Sequence, residues 1–101
     1  MLLLNHAFKV LGVVKLSQGG MTSTTLDPKI IFSAILKAGA ARFVLSHNHP
    51  SGNLTPSKVD RDFTSNLQDG AKILDIEFLD HLVVSRNGYT SFSDELLFLP
   101  Y

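Results

Sequence analysis

The stretch ARFVLSHNHPSGNLTPSKVD, residues 41–60, reads as a strand, a turn and the start of a helix. "ARFVLS" is a short apolar run, expected to be a buried strand, and it leads straight into His47. Residues i and i+2 of a strand point the same way, so His47 and His49 are expected to face one side. Their ring nitrogens are then close enough to share a metal ion. Pro50 biases His49 toward extended backbone and so preserves that geometry. Pro50 and Gly52 suit the second and fourth places of a type I turn, which returns the chain toward the strand end. Thr55-Pro56 is a helix start, with Thr55 as N-cap and Pro56 at the first helical position. Val59, Phe63 and Leu67 recur every four residues and predict a helix over about 56–71, with Gly70 near its end.

Ser57 and Asp60 fall three apart in the first turn of that helix and share a face. Asp60 can bring a carboxylate oxygen to the two imidazoles, and Ser57 can point its hydroxyl into the same space. Two nitrogens and one oxygen leave a fourth tetrahedral position for water, the pattern of a catalytic rather than a structural zinc site. Zinc would lower the pKa of that water and polarise a carbonyl, and Ser57 could donate to the oxyanion that forms. Taken singly these signals are weak. A His-x-His pair on a strand usually binds nothing, and Ser57 with Asp60 is also ordinary helix-start chemistry. With Thr55 as the N-cap, however, Ser57 is left without that task.

Working outward, "MLLLN" and "KVLGVVKL" are two apolar runs around the turn-like Asn5-His6-Ala7, expected to form a hairpin. The first run begins at residue 1, as expected of a domain cut from a longer chain. "SQGGMTSTTL", residues 17–26, reads as a polar loop or irregular strand. Asp27-Pro28 opens a helix through "KIIFSAILKAGA", and Gly39 is its expected stop. "ILDIEFLDHLVVSRNGYTSF", residues 73–92, reads as strands with Asn87-Gly88 as a hairpin turn. The tail "DELLFLPY" fits a short helix or an edge segment. The order predicts an α/β fold, a mixed β-sheet flanked by helices, in one domain over residues 1–101.

Composition supports a folded domain with one modest core. Of the 101 residues, 45% are hydrophobic and 18% charged, and the formal net charge is zero. The basic residues are scattered, which argues against strong nucleic-acid binding by this domain alone. The absence of cysteine removes disulfides, cysteine zinc sites and thiol nucleophiles. "MLLL" is too short for a signal-peptide core or membrane span, so no membrane contact is expected and a cytoplasmic location is the default.

His47-x-His49-Pro50, Ser51-Gly52 and Ser57-x-x-Asp60 together resemble the JAMM (JAB1/MPN/Mov34) metalloprotease motif. "LSHNHPSGNLTPSKVD", with the later "LDHLVVSRNGYTSF", more closely resembles the bacterial RadC family, called DNA repair proteins. The resemblance covers nearly the whole chain. It implies the cytidine-deaminase-like α/β sandwich of the MPN domains, with His47, His49 and Asp60 as zinc ligands and Ser57 stabilising the tetrahedral intermediate. It implies hydrolysis of an amide, of peptidase or isopeptidase type, on a peptide or protein substrate whose identity stays open. His81, in "LDHL", is a candidate for orienting a ligand from behind, although a strand histidine hydrogen-bonded within the sheet is the more ordinary reading. His6 is expected to be exposed in its turn. Asn48 and Asn53 flank the site in positions that turn propensity explains, and Ser46 is not expected to take part.

The chain departs from the family pattern in one respect. JAMM proteins carry a glutamate on an early strand that moves a proton between water and the leaving amine. The only acid before His47 here is Asp27, and the first glutamate is Glu77. The simplest expectation is a truncated first strand with the glutamate upstream, in a C-terminal part of a longer protein whose usual helix-hairpin-helix region is also absent. Such a chain would bind zinc yet be a poor catalyst alone. A repair-associated interaction domain and a metal-free scaffold are the competing readings; the intact ligand set weighs against the scaffold. A deaminase needs His-x-Glu and Pro-Cys-x-x-Cys, and this chain has neither. Oligomeric state is open, although exposed sheet edges could pair.

Overall fold

A computed structural model describes residues 1–16, 27–49 and 52–98. The loop expected over 17–26, the middle of the turn expected at Pro50-Ser51, and the end of the tail lie outside the described residues. The elements are β1 (Leu2–Leu4), β2 (Val10–Val13), α1 (Pro28–Ala38), β3 (Arg42–Asn48), α2 (Lys58–Leu74), β4 (Glu77–Ser85) and β5 (Gly88–Ser91). The strands form one mixed sheet in the order β2-β1-β3-β4-β5. Among the described strands only β3 and β4 pair in parallel, and α2 makes the crossover between them that a parallel pair requires.

Local chemistry accounts for most boundaries. Asn5 Oδ1 accepts from the backbone N–H groups of Ala7 and Lys9, which closes the first hairpin as an Asx turn. Asp27 caps α1 by accepting from Lys29 N, Pro28 takes the first turn, and Gly39 ends the helix in the left-handed region at φ 65°. Gly52 N donates to His49 O at 3.0 Å. Thr90 Oγ1 then donates to Leu54 O at 2.7 Å, which ties the following loop to β5.

The start of α2 corrects the expected cap. Ser57, not Thr55, is the N-cap, and Pro56 lies before the helix. Ser57 Oγ accepts from Asp60 N at 3.0 Å while Asp60 Oδ2 accepts from Ser57 N at 2.8 Å. That reciprocal box satisfies two donors at once, which Thr55 with Pro56 cannot do. Thr55 N is taken instead by Asn53 Oδ1. The helix also outruns Gly70 and ends at Leu74, with Asp75 in the left-handed region as its cap. Gly70 serves close packing: a Cβ there would stand 2.7 Å from the Phe32 ring. Val59 is exposed, so the buried stripe of α2 runs through Phe63, Leu67 and Ala71. In the last hairpin Ser85 pairs with Gly88, so Arg86 and Asn87 occupy the turn, one residue earlier than expected. The described part of the tail is a run of turns.

Both helices contribute to one hydrophobic cluster with the sheet. Ile31 and Ile35 from α1, Leu67 and Ala71 from α2, and Phe43 and Leu45 from β3 are all buried in it. Along β3, Phe43, Leu45 and His47 are buried while Ser46 and Asn48 are exposed, the alternation of a strand with one covered face. Between Phe43 and Val44 the register against β4 shifts by one residue. Phe43 pairs with Phe78, Val44 with Asp80 and Leu45 with His81, so Leu79 has no partner on β3. Among the described residues no helix is long and apolar enough to cross a membrane.

Candidate metal centre

The end of β3 and the start of α2 meet where the sequence brings two imidazoles and a carboxylate together. His47 is buried, and His49 continues the ladder with its N–H on Val84 O. Their rings lie 4.7 Å apart between centroids. Asp60 is only 6% exposed, at the third position of α2, where the helix N-terminus favours a carboxylate. His47 Nε2 stands 3.2 Å from Asp60 Oδ1, and His49 Nε2 stands 3.1 Å from Asp60 Oδ2. One ligand atom from each of the three residues lies within 4.8 Å of the others.

This donor set fits a divalent metal ion. Ligand bonds of about 2.0–2.2 Å in tetrahedral geometry hold ligand atoms roughly 3.3 Å apart, close to the two separations from Asp60. His47 Nε2 is buried, and despite its proximity to the carboxylate it has no hydrogen-bond partner. An unsatisfied buried ring nitrogen facing a second imidazole and a carboxylate is the expected mark of a ligand atom. The Nδ1 atoms are engaged on the other side. His49 Nδ1 contacts the Asn53 carbonyl at 2.8 Å. A carbonyl only accepts, so Nδ1 carries a proton, and Nε2 is turned to the cluster, where it hydrogen-bonds Asp60 Oδ2 at 3.1 Å.

His81 is completely buried directly behind His47. Its Nε2 is 2.8 Å from His47 Nδ1, and its Nδ1 is 2.6 Å from Thr64 Oγ1. Its ring stacks on Phe92, 4.6 Å away. Asp80 fixes the backbone around it, accepting from His81 N and Ser93 N with one oxygen and from the Ser91 hydroxyl with the other. His81 is thus a buried sheet histidine that also touches a candidate ligand. Thr64 did not stand out in the sequence. Its spacing of four from Asp60 on one helix is the signal that places it beside the cluster.

The remaining candidates fall as follows. Ser57 stands at the helix cap beside Asp60, with its oxygen engaged by Asp60 N. Asn53 meets the site through its main-chain carbonyl, whereas Ser46 and Asn48 are exposed. His6 is exposed in its turn. Asp27 caps α1 beside Lys29, and Glu77 pairs with Arg42, so neither belongs to the cluster.

Burial, and then His47, push the His81 pKa down to about 3 against the opposing pull of Asp60 and Asp80. Burial likewise holds His47 below the ordinary imidazole range, outweighing the attraction of Asp60. Burial alone would raise Asp60, but hydrogen bonding to Ser57 and the two neighbouring histidines hold its carboxyl below the usual range. All three shifts act on stability with one sign. Below about pH 6.5 the unfolded imidazoles take up protons, whereas folded His81 stays neutral down to about 3. The unfolded state therefore binds more protons, and stability that is complete above that range is lost on acidification. The metal-free protein should lose about 1.4 kcal/mol per pH unit through His81 alone below about pH 6.5. Urea denaturation at pH 7 and pH 5 measures this; stability that rises toward pH 5 would contradict the buried neutral state of His81.

A family model described as the RadC-like JAB domain matches residues 1–97. Curated relatives carry the name UPF0758 protein. One from Flavobacterium johnsoniae is 41% identical over 97 residues, covering 96% of this chain and 42% of the relative. UPF0758 protein STH371 from Symbiobacterium thermophilum is 41% identical over 93 residues, 92% of this chain and 40% of its own length. A third, from Thermotoga maritima, is 38% identical over 92 residues, 91% of this chain and 41% of the relative. The chain spans about two-fifths of the length of these relatives.

Proposed function

We propose, from the premise that this chain belongs to the family of RadC-like JAB domains, that it is the zinc-binding domain of a metallohydrolase acting on peptide or isopeptide bonds. The observation that carries this reading is the convergence of His47 Nε2, His49 Nε2 and an Asp60 oxygen, with the buried His47 nitrogen left unpaired by the protein. His47, His49 and Asp60 would hold the ion. Zinc supplies Lewis acidity, which acidifies water toward neutrality and polarises a carbonyl.

The protein's own groups have separable tasks. His49 is held by the Asn53 carbonyl with Nε2 forward, and Asp60 is held by the Ser57 N–H. Ser57 Oγ accepts from Asp60 N, which leaves its hydroxyl proton free to be donated. A substrate carbonyl beside the helix start would receive that proton as a hydrogen bond when its oxygen becomes negative. No glutamate precedes His47 in this sequence to serve as general base. Of the acids before His47 there is only Asp27, and it is occupied as a helix cap. This favours a second reading, a metal-binding interaction domain that does not catalyse on its own.

Elemental analysis of the purified chain separates these readings from a metal-free scaffold, with about one zinc per chain expected. Assays on peptide and isopeptide substrates then separate hydrolase from interaction domain. Zinc with turnover is expected of the hydrolase, and zinc without turnover of the interaction domain. No zinc after supplementation would sink both metal-dependent readings.

A further inference from the structure

We infer that His81 is the positioning residue that selects which nitrogen of His47 can bind metal, acting through a hydrogen-bonded relay Thr64–His81–His47. The inference rests on the metal-site reading above for its consequence, but its premise is a property of the metal-free protein.

A neutral imidazole has one donor and one acceptor nitrogen, and the bond at one fixes the state of the other. His49 meets an acceptor at each nitrogen, the Asn53 carbonyl at Nδ1 and the Asp60 carboxylate at Nε2. His47 meets another imidazole, so its choice depends on His81. Two directions are available along the relay. In one, Thr64 donates to His81 Nδ1, His81 Nε2–H donates to His47 Nδ1, and His47 carries its proton on Nε2. That proton would face Asp60 Oδ1 at 3.2 Å, yet the pair lacks hydrogen-bond alignment and His47 Nε2 has no partner. In the other, His47 Nδ1–H donates to His81 Nε2 and His81 Nδ1–H donates to Thr64 Oγ1. His47 Nε2 is then a bare lone pair aimed at the cluster, which agrees with its unpaired state.

The second direction anchors the His47 Nδ1 proton behind the ring, as the Asn53 carbonyl anchors that of His49. His81 is fit for this task because nothing lets it turn. It is completely buried, stacked on Phe92, and bonded at both nitrogens. Thr64, 1% exposed, can accept from His81 because a hydroxyl both accepts and donates. Metal-binding histidines generally donate their second ring N–H to a partner that fixes their orientation, and loss of that partner typically costs about 10–100-fold in metal affinity. Here the partner is a second histidine, fixed in turn by the helix that carries Asp60.

The first test uses the metal-free wild-type chain. Ring-nitrogen NMR shifts distinguish protonated from bare nitrogens, and the expected result is Nδ1–H on both His47 and His81. A proton on His47 Nε2 overturns the inference whether or not zinc binds. The second test measures zinc affinity by chelator competition in His81→Phe, which keeps the ring stacked on Phe92 and removes the acceptor, and in His81→Gln, whose side-chain oxygen can accept from His47. A loss of about 10–100-fold in H81F, largely recovered in H81Q, is expected; wild-type affinity in a folded H81F overturns the inference. Should H81F not fold, Thr64→Val serves, with a smaller loss expected and unchanged affinity counting against the relay. Failure of the wild-type chain to bind zinc would refute the metal-site reading alone, since the nitrogen shifts still decide the tautomer.

Discussion

Asp60→Ala is expected to abolish stoichiometric zinc binding, with a loss of affinity beyond the roughly 100-fold that removal of a ligand's supporting partner can cost. Asp60 is the only acid in the cluster among the described residues and supplies its only negative charge. It is also half of the capping box, so alanine should cost about 0.5–2 kcal/mol of stability through the helix start. Asp60→Asn separates the two roles. An asparagine oxygen can still accept from Ser57 N, so the helix should keep its stability while the charge needed by the metal is gone. Chelator-competition titration reads the first effect and urea denaturation of the metal-free protein the second. Zinc held as tightly by D60A as by the wild type would remove Asp60 from the ligand set.

Phe43→Ala should cost about 3–5 kcal/mol, the range for emptying an aromatic position in a core. Phe43 is completely buried on β3, which lies at the centre of the sheet. It stacks on Phe78 at 4.4 Å between centroids and meets Phe32 of α1 edge-on at 6.1 Å. No neighbouring backbone can collapse into that space without moving the sheet or the helix. A small domain typically has 5–15 kcal/mol in total, so the variant should be marginal, with a much lower urea midpoint at neutral pH. A change below about 1 kcal/mol would mean that the ring contacts contribute far less than core packing normally does.

Much of the arrangement was legible before any coordinates. The hairpin at Asn5, the Asp27-Pro28 helix start, the Gly39 stop and the alternation that turns His47 and His49 to one side all follow from local rules, and all are present. The cap of α2 was not settled by such rules. Thr55-Pro56 and Ser57-x-x-Asp60 are both valid local signals, and the second is realised where the Asp60 carboxylate lies buried beside two imidazoles. Val59 fits the spacing of the apolar stripe but is exposed, because four-residue spacing drifts around a 3.6-residue helix. The contact of His81 with His47 spans 34 positions and depends on the pairing of β3 with β4. Local pattern does not encode that register.

The unpaired Leu79 lets β4 absorb one residue of length ahead of the site. Strand side chains alternate, and the odd residue reverses that count between Phe78 and His81. Both therefore reach the buried side although they are three apart, and Phe78 stacks on Phe43 while His81 reaches His47. Removing one residue at this point would restore uninterrupted alternation. With Phe78 kept opposite Phe43, Asp80 would still fall opposite Val44 and His81 opposite Leu45, so His47 would keep its imidazole neighbour. A strand of this domain can thus differ in length by one residue at the bulge and still bring the same histidine behind His47.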